Sequence, residues 1–161
     1  MAVDYFLKID GIPGESADHK HKDEIDILSW SWGESQSGTM SSGGGGGAGK
    51  VNMQDFHFVM KVNKSTTKLI LACASGDHIK KAVLTCRKAG KDQQPFLTYT
   101  FSDVLVSSYQ TGGSSSGDEI PMEQVSLNYS KMEAEYKAQK ADGSLEGGIK
   151  AGWDLKANKL A

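Results

Sequence analysis

The sequence predicts a mainly all-β fold: a small antiparallel β-barrel or tight two-sheet sandwich with one short flanking α-helix. Three observations carry that prediction. Apolar residues alternate with polar ones at period two through most of the chain, as half-buried strands require. Gly, Ser and Thr are abundant, with 19 glycines in 161 residues, and only one stretch carries a helix's start and stop signals. The alternation also slips by one residue inside several long strands. Such a slip reads as a β-bulge or sharp bend, and repeated bends curl a sheet towards closure. A chain of 161 residues suits one domain, 1–161, with enough buried surface to fold without a disulfide or metal.

The elements follow in order. "VDYFLKI" is a strand with Val3, Tyr5, Leu7 and Ile9 on one face and Asp4, Phe6 and Lys8 on the other. "DGIPGESADHKHKDE" is a polar loop, charged from Lys20 to Glu24 and expected to be solvated. In "EIDILSWSWGESQSG", Ile25 and Ile27 share a face, then Leu28, Trp30 and Trp32 take it over and pack into a core. The opposite face carries Ser29, Ser31, Gly33, Ser35 and Ser37, small hydroxyls where a solvent face ordinarily carries Lys and Glu. The stretch 38–50 is read as a flexible Gly-rich connection between strands. Beyond it Val51 and Met53 alternate, then Phe56, Phe58, Met60 and Val62 on the opposite parity, with the slip near Gln54–Asp55.

A helix is expected over 65–76. Ser65 or Thr66 can cap its start, Leu69 and Cys73 lie one turn apart, and Gly76 sits where a terminating glycine belongs. "KAVLTCRK" and "PFLTYTF" form a hairpin, and "DVLVSSY" continues the sheet. After a second Gly/Ser loop, a long strand holds Val125, Leu127 and Tyr129, slips once, and continues with Met132, Ala134 and Tyr136. Asp142–Gly143 makes a hairpin turn. Ile149, Ala151, Trp153 and Leu155 alternate in the last strand. The sum is about eight or nine strands.

Chemical signals are few. Gly44, four residues, Gly49 and Lys50 match the spacing of a phosphate-cradling loop, but Val51 stands where Ser or Thr must reach Mg²⁺. A strand follows instead of the helix whose amides would hold the phosphates. His19 and His21, beside Asp23 and Glu24, could hold a metal weakly; the favoured reading is a solvated charged loop. Cys73 and Cys86 read as small core residues of a chain folded in reducing cytosol. No nucleophile elbow and no carboxylate pair stands out, so no catalytic residue, cofactor or metal is expected, and the chain is read as no enzyme. Net charge near −2 argues against nucleic acid or an anionic membrane as partner. The N-terminus has no basic region, apolar core or cleavage site, so export without a cleaved signal is expected.

"MAVDYFLKIDGIPGES", "DEIDILSWSWGESQSG", "GGGGGAGKVNMQDF", "NKSTTKLILACASG", "LTCRKAG", "VLVSSYQTGGSSSG" and "KADGSLEGGIKAGWDLKANK" together resemble the Hcp family (haemolysin-coregulated protein) of bacterial type VI secretion systems. The likeness runs in order along the whole chain. Thr67 departs from it, since many relatives have Pro at the start of the helix. The resemblance implies a β-barrel with a flanking helix, six copies to a ring, and rings stacked into the inner tube of a contractile machine. It implies as partners a VgrG spike, a contractile sheath with its baseplate, and small effector proteins stabilised in the lumen. It also implies a chain that is cytoplasmic before firing and then secreted.

Within that frame Ser29, Ser31, Gly33 and Ser35 are the candidate lumen or effector contacts, with Ser31 foremost. Gly43, Gly44, Gly45, Gly46, Gly47, Gly49 and Lys50 are the candidate ring-stacking loop, mobile until a neighbouring ring holds it. The alternatives are a monomeric ligand- or carbohydrate-binding β-barrel and a nucleotide-dependent enzyme using Lys50.

Overall fold

The computed structural model describes residues 2–41, 47–89, 93–117 and 120–161. The strands are β1 (Val3–Ile9), β2 (Ile25–Asp26), β3 (Ser29–Ser31), β4 (Glu34–Gly38), β5 (Ala48–Met53), β6 (Phe56–Lys61), β7 (Ile79–Lys88), β8 (Pro95–Gly112), β9 (Met122–Asn128), β10 (Lys131–Tyr136), β11 (Ile149–Asp154) and β12 (Lys159–Leu160), with one helix, α1 (Thr66–Ser75), between β6 and β7. Among the described residues the strand pairs are all antiparallel.

One layer runs β12-β11-β10-β8-β7-β1-β2, the other β3-β6-β9-β8, and β4 pairs only with β5 in a separate two-stranded ribbon. The two layers share β8, the 18-residue strand whose first half pairs with β7 and β10 and whose second half pairs with β9. The strand order does not close into a barrel; the arrangement is a tight sandwich, one of the two forms expected.

The parity slips in the sequence are the corners of this sandwich, and not bulges within a continuing pair. Ile27 donates its amide to Tyr5 of β1, while Leu28, next along, donates to Val59 of β6. The chain changes layer between those two residues. Gln54 still bonds Gly33, and at Phe56 the chain has joined β9. Ser130 bonds Ser102, ending the pairing of β9 with β6 and β8 and opening that of β10 with β8. These breaks help raise the count from the expected eight or nine strands to twelve among the described residues. Register shifts of the bulge kind lie elsewhere, between Gln36 and Gly38, Cys86 and Arg87, and Val106 and Ser108.

The core lies between the layers. Leu7, Ile9 and Ile25 meet Phe56, Phe58, Met60, Leu84, Phe101, Val104, Val125 and Leu127, with Trp30, Trp32 and Tyr99 packed against them. Trp30 stacks on Phe56 at 6.2 Å and meets Tyr99 edge-on at 5.4 Å. Leu28, expected beside the tryptophans, is 48% exposed because it is a corner residue. The helix fits its sequence signals. Leu69 and Ala72 are buried, Cys73 is half-buried, and Gly76 (φ 68°) closes the helix by donating its amide to Ala72 at 3.0 Å. Ser65 occupies the cap position without a side-chain cap bond.

The charged loop is exposed at Lys20, Lys22 and Asp23, as expected, but it also holds to the body. It is packed, not merely solvated. Ser16 is buried, His21 stacks on Phe6 at 4.4 Å, and Asp18 grips the buried Arg87. Gly14 passes so close to the backbone of Glu24 that a Cβ would lie 2.5 Å from its carbonyl oxygen. His21 is spent on Glu24, Nδ1 to Oε2 at 2.8 Å. Among the described residues no group of His, Cys, Asp and Glu could hold a metal ion. Cys86 is buried and its thiol is pushed up to about 12 by burial, which leaves it inert.

Candidate functional site

On the outer face of the β3-β6-β9-β8 layer, alternation does for polar residues what it does for the core. Phe56, Phe58 and Met60 point inwards from β6, so His57 and Val59 point outwards. Trp30 is half-buried, with Ser29 and Ser31 exposed on either side. The strand register then sets two rows across four strands. Ser31 stands opposite His57, His57 opposite Ser126, and Ser126 opposite Ser108. Ser29 stands opposite Val59, Val59 opposite Gln124, and Gln124 opposite Gln110.

All of these but the buried Ser126 line a shallow depression of about 460 Å³, together with Trp30, Phe58 and Val125. Its side chains carry hydroxyl, amide and imidazole groups, with no carboxylate and no ammonium. Ser126 anchors one end: its hydroxyl is shared with Ser107 at 2.7 Å and with Ser108, and Ser107 donates to Asp55 at 2.6 Å. Asn128 gives Asp55 a second bond at 2.8 Å. Ser29, Ser31, His57, Gln110 and Gln124 have no side-chain partner among the described residues, so their hydrogen-bonding capacity faces solvent.

The structure divides the expected serine row. Ser29 and Ser31 lie side by side on this face. Gly33 belongs to the base of the ribbon, where its carbonyl accepts from Gln54 at 2.9 Å. Ser35 is on β4 opposite Asn52 and lines a different cavity. Of the expected stacking loop, Gly43, Gly44, Gly45 and Gly46 lie outside the described residues. Gly47 is exposed and bonds Thr39, while Gly49 and Lys50 belong to β5. The connection is therefore shorter than 38–50, with Gly38 and residues 48–50 in paired strands.

Sequence reasoning missed His57, Ser108, Gln110, Gln124 and Ser126. Each sits on the correct parity of its own strand, but only the register shows that they meet.

The β4–β5 ribbon is tied to the body by Tyr129. Its hydroxyl donates to the Gln54 carbonyl at 2.7 Å and accepts from the Trp32 indole N–H. Burial pushes the phenol up to about 12, so it keeps its proton and both bonds. Beside the ribbon lies an apolar cleft of about 970 Å³ whose walls include Trp32, Val51, Met53, Tyr99, Trp153 and Leu160. Tyr129→Phe removes both bonds at about 1–2 kcal/mol. Faster hydrogen exchange at Gln54 than at Leu84 or Phe101 is the expected sign that the ribbon loosens before the core.

The chain matches the family model for the type VI secretion system effector Hcp over residues 6–136. The chain belongs to the Hcp family. It is 52% identical to the Hcp1 protein of Pseudomonas aeruginosa over 100% of both chains. Among solved structures, Hcp1 from Salmonella typhimurium superposes with a TM-score of 0.83 at 42% identity, covering 100% of each chain. A structure described as a type six secretion system protein gives a TM-score of 0.94 at 33% identity, covering 99% of this chain and 100% of that one. As an Hcp protein the chain is a secreted, structural component of type VI secretion and not an enzyme. Among the described residues no helix is long and apolar enough to cross a membrane.

Proposed function

We propose that the chain, folded as one domain over 1–161, closes with five further copies into a ring and that rings stack into the inner secretion tube. The β3-β6-β9-β8 face lines the lumen and holds small effector proteins. The single observation that carries this reading is the pair of uncharged rows, Ser31–His57–Ser126–Ser108 and Ser29–Val59–Gln124–Gln110. A wall that lets varied folded cargo slide must offer hydrogen bonds without strong charge, and these rows do so over four strands. Ser31 is the foremost cargo contact and Ser29 its neighbour. Gly33 and Ser35 serve at the ribbon, not in the pore.

Association between copies needs apolar surface, and Tyr136, Ile149 and Leu160 stand exposed near the Trp32–Trp153 cleft. Rings of this kind need a heterologous interface that closes, burying about 1,000 Å² or more. The ribbon, with Gly47 just ahead of β5 and Gly49 and Lys50 within it, reaches the next ring. The VgrG spike, contractile sheath and baseplate complete the assembly. The subunit waits in the cytoplasm before it is secreted.

Purified protein is expected to run at six times 17.3 kDa and to give stained images with a central hole. Ser31→Trp should abolish co-purification of effectors from the native host while ring mass stays unchanged. Compact single particles without a hole favour the monomeric binding-barrel reading and overturn this one.

A further inference from the structure

Among the described residues His57 is the one titratable side chain lining the polar depression. It is exposed, stands opposite Ser31 on β3 and Ser126 on β9, and has no side-chain partner among the described residues. The charged groups around it do not line the depression. Asp55, just ahead of β6, is bound by Ser107 and Asn128. Lys61 lies at the far end of β6, outside the depression. On β9, Glu123 is fully buried beneath α1 and accepts from Thr66 at 2.5 Å. On β8, Asp103 sits at the corner between the layers, held by Ser130 and His78. Asp26 and Glu34, on either side of β3 along the chain, do not line the depression.

We propose that His57 is a specificity-determining residue: acidification converts this face from one that accepts uncharged polar protein surface to one that prefers acidic surface. The inference rests on the reading of this face as the wall of a cargo-carrying lumen. An imidazole is the side chain that gains charge between about pH 8 and about pH 5, and once charged it donates from both ring nitrogens. With no fixed charge in the depression to offset it, a protonated His57 flanked by serine hydroxyls becomes a carboxylate site. The same charge repels lysine-bearing surfaces. Copies of His57 repeated around a ring would face one lumen and add their effects.

The test uses two fluorescein-labelled probes, a repeating Glu–Ser peptide and a repeating Lys–Ser peptide, titrated by anisotropy into the assembled protein. Between about pH 7.5 and about pH 5.5, affinity for the Glu–Ser peptide should rise about three-fold and that for the Lys–Ser peptide should fall by a similar factor, the scale of one exposed ion pair. His57→Gln should remove both changes, and high salt should suppress them. A pH response retained in His57→Gln, no response in the unsubstituted protein, or no binding of the Glu–Ser peptide at the lower pH overturns the proposal. Light scattering on the same samples separates the two readings. A monomeric mass defeats the ring; a full ring mass with no response dependent on His57 defeats only the pH-set preference.

Discussion

Phe101→Ala is expected to lower the melting temperature by about 10 °C, from a loss of about 3–5 kcal/mol. Phe101 is fully buried on β8, opposite Ala82 of β7 and Met132 of β10. Its ring lies 4.9 Å from Phe56, on the other layer, and 4.7 Å from Tyr129, at the corner between β9 and β10. It therefore joins the two layers just before β8 passes from one to the other. Each neighbour is held by its own strand ladder, so the wall cannot collapse into the vacated space and a cavity remains. Phe96→Ala supplies the contrast: Phe96 is half-buried near the start of the same strand, with the Lys88 ammonium 5.6 Å above its ring. Its loss should cost no more than about 1 kcal/mol, in line with a peripheral site that can rehydrate. Thermal denaturation of the two variants decides the point; shifts of equal size would mean that Phe101 is not the junction of the layers.

That junction also shows what the sequence could and could not disclose. The slips at Ile27–Leu28, Gln54–Asp55 and Tyr129–Ser130 were visible as changes of parity, because burial on alternate sides is a local property of one strand. Their meaning was not visible. A slip and a corner look alike until hydrogen-bond partners are known, and the partners lie dozens of residues away. A fourth corner escaped altogether. Phe101 and Val104 are both buried and three residues apart, which Asp103 permits by taking φ 54°, an αL conformation that Asp tolerates better than most residues. An aspartate in a run of apparent strand carries little signal by itself.

The candidate site was half legible for the same reason. Ser29 and Ser31 stood out because small hydroxyls are unusual beside two tryptophans. Gly33 and Ser35 shared their parity but not their sheet, since the chain leaves β3 for the ribbon before reaching them. His57, Gln110 and Gln124 joined the site through register alone. The packing beneath the charged loop was not legible because its fixing residue, Arg87, is distant in sequence and ends a run from Leu84 that is buried without alternation.

That arginine leads to the second large effect. Arg87 is 1% exposed, and its guanidinium holds Asp18 through two bonds, at 3.0 and 2.6 Å, and Asp4 through one at 3.2 Å. It lies over the Phe6 ring at 4.7 Å. Arg87→Met keeps an apolar stem against Phe6 and removes the fork, leaving two aspartates without their cation. Since Asp18 and Asp4 both reach solvent, the loss should fall below that of a fully buried pair, at about 2 kcal/mol and about 5 °C in melting temperature. A distinct acid signature should accompany it. The hydrogen bond from Arg87 holds the Asp18 carboxyl well below the usual carboxylate range; burial opposes this, and the amides of Lys20 and His21 assist. A carboxylate depressed in the folded state adds stability that is complete above its unfolded pKa of about 3.9 and drains away as pH falls towards the folded value. The melting-temperature gap between the unsubstituted protein and Asp18→Asn should therefore be widest near neutral pH and narrow below about pH 4. A gap that stays constant into that acid range would mean that the Arg87–Asp18 fork does not set the acid stability of the packed loop. The loop lies against β1 and β7, away from the polar rows, so ring mass and cargo binding at neutral pH should survive in Asp18→Asn.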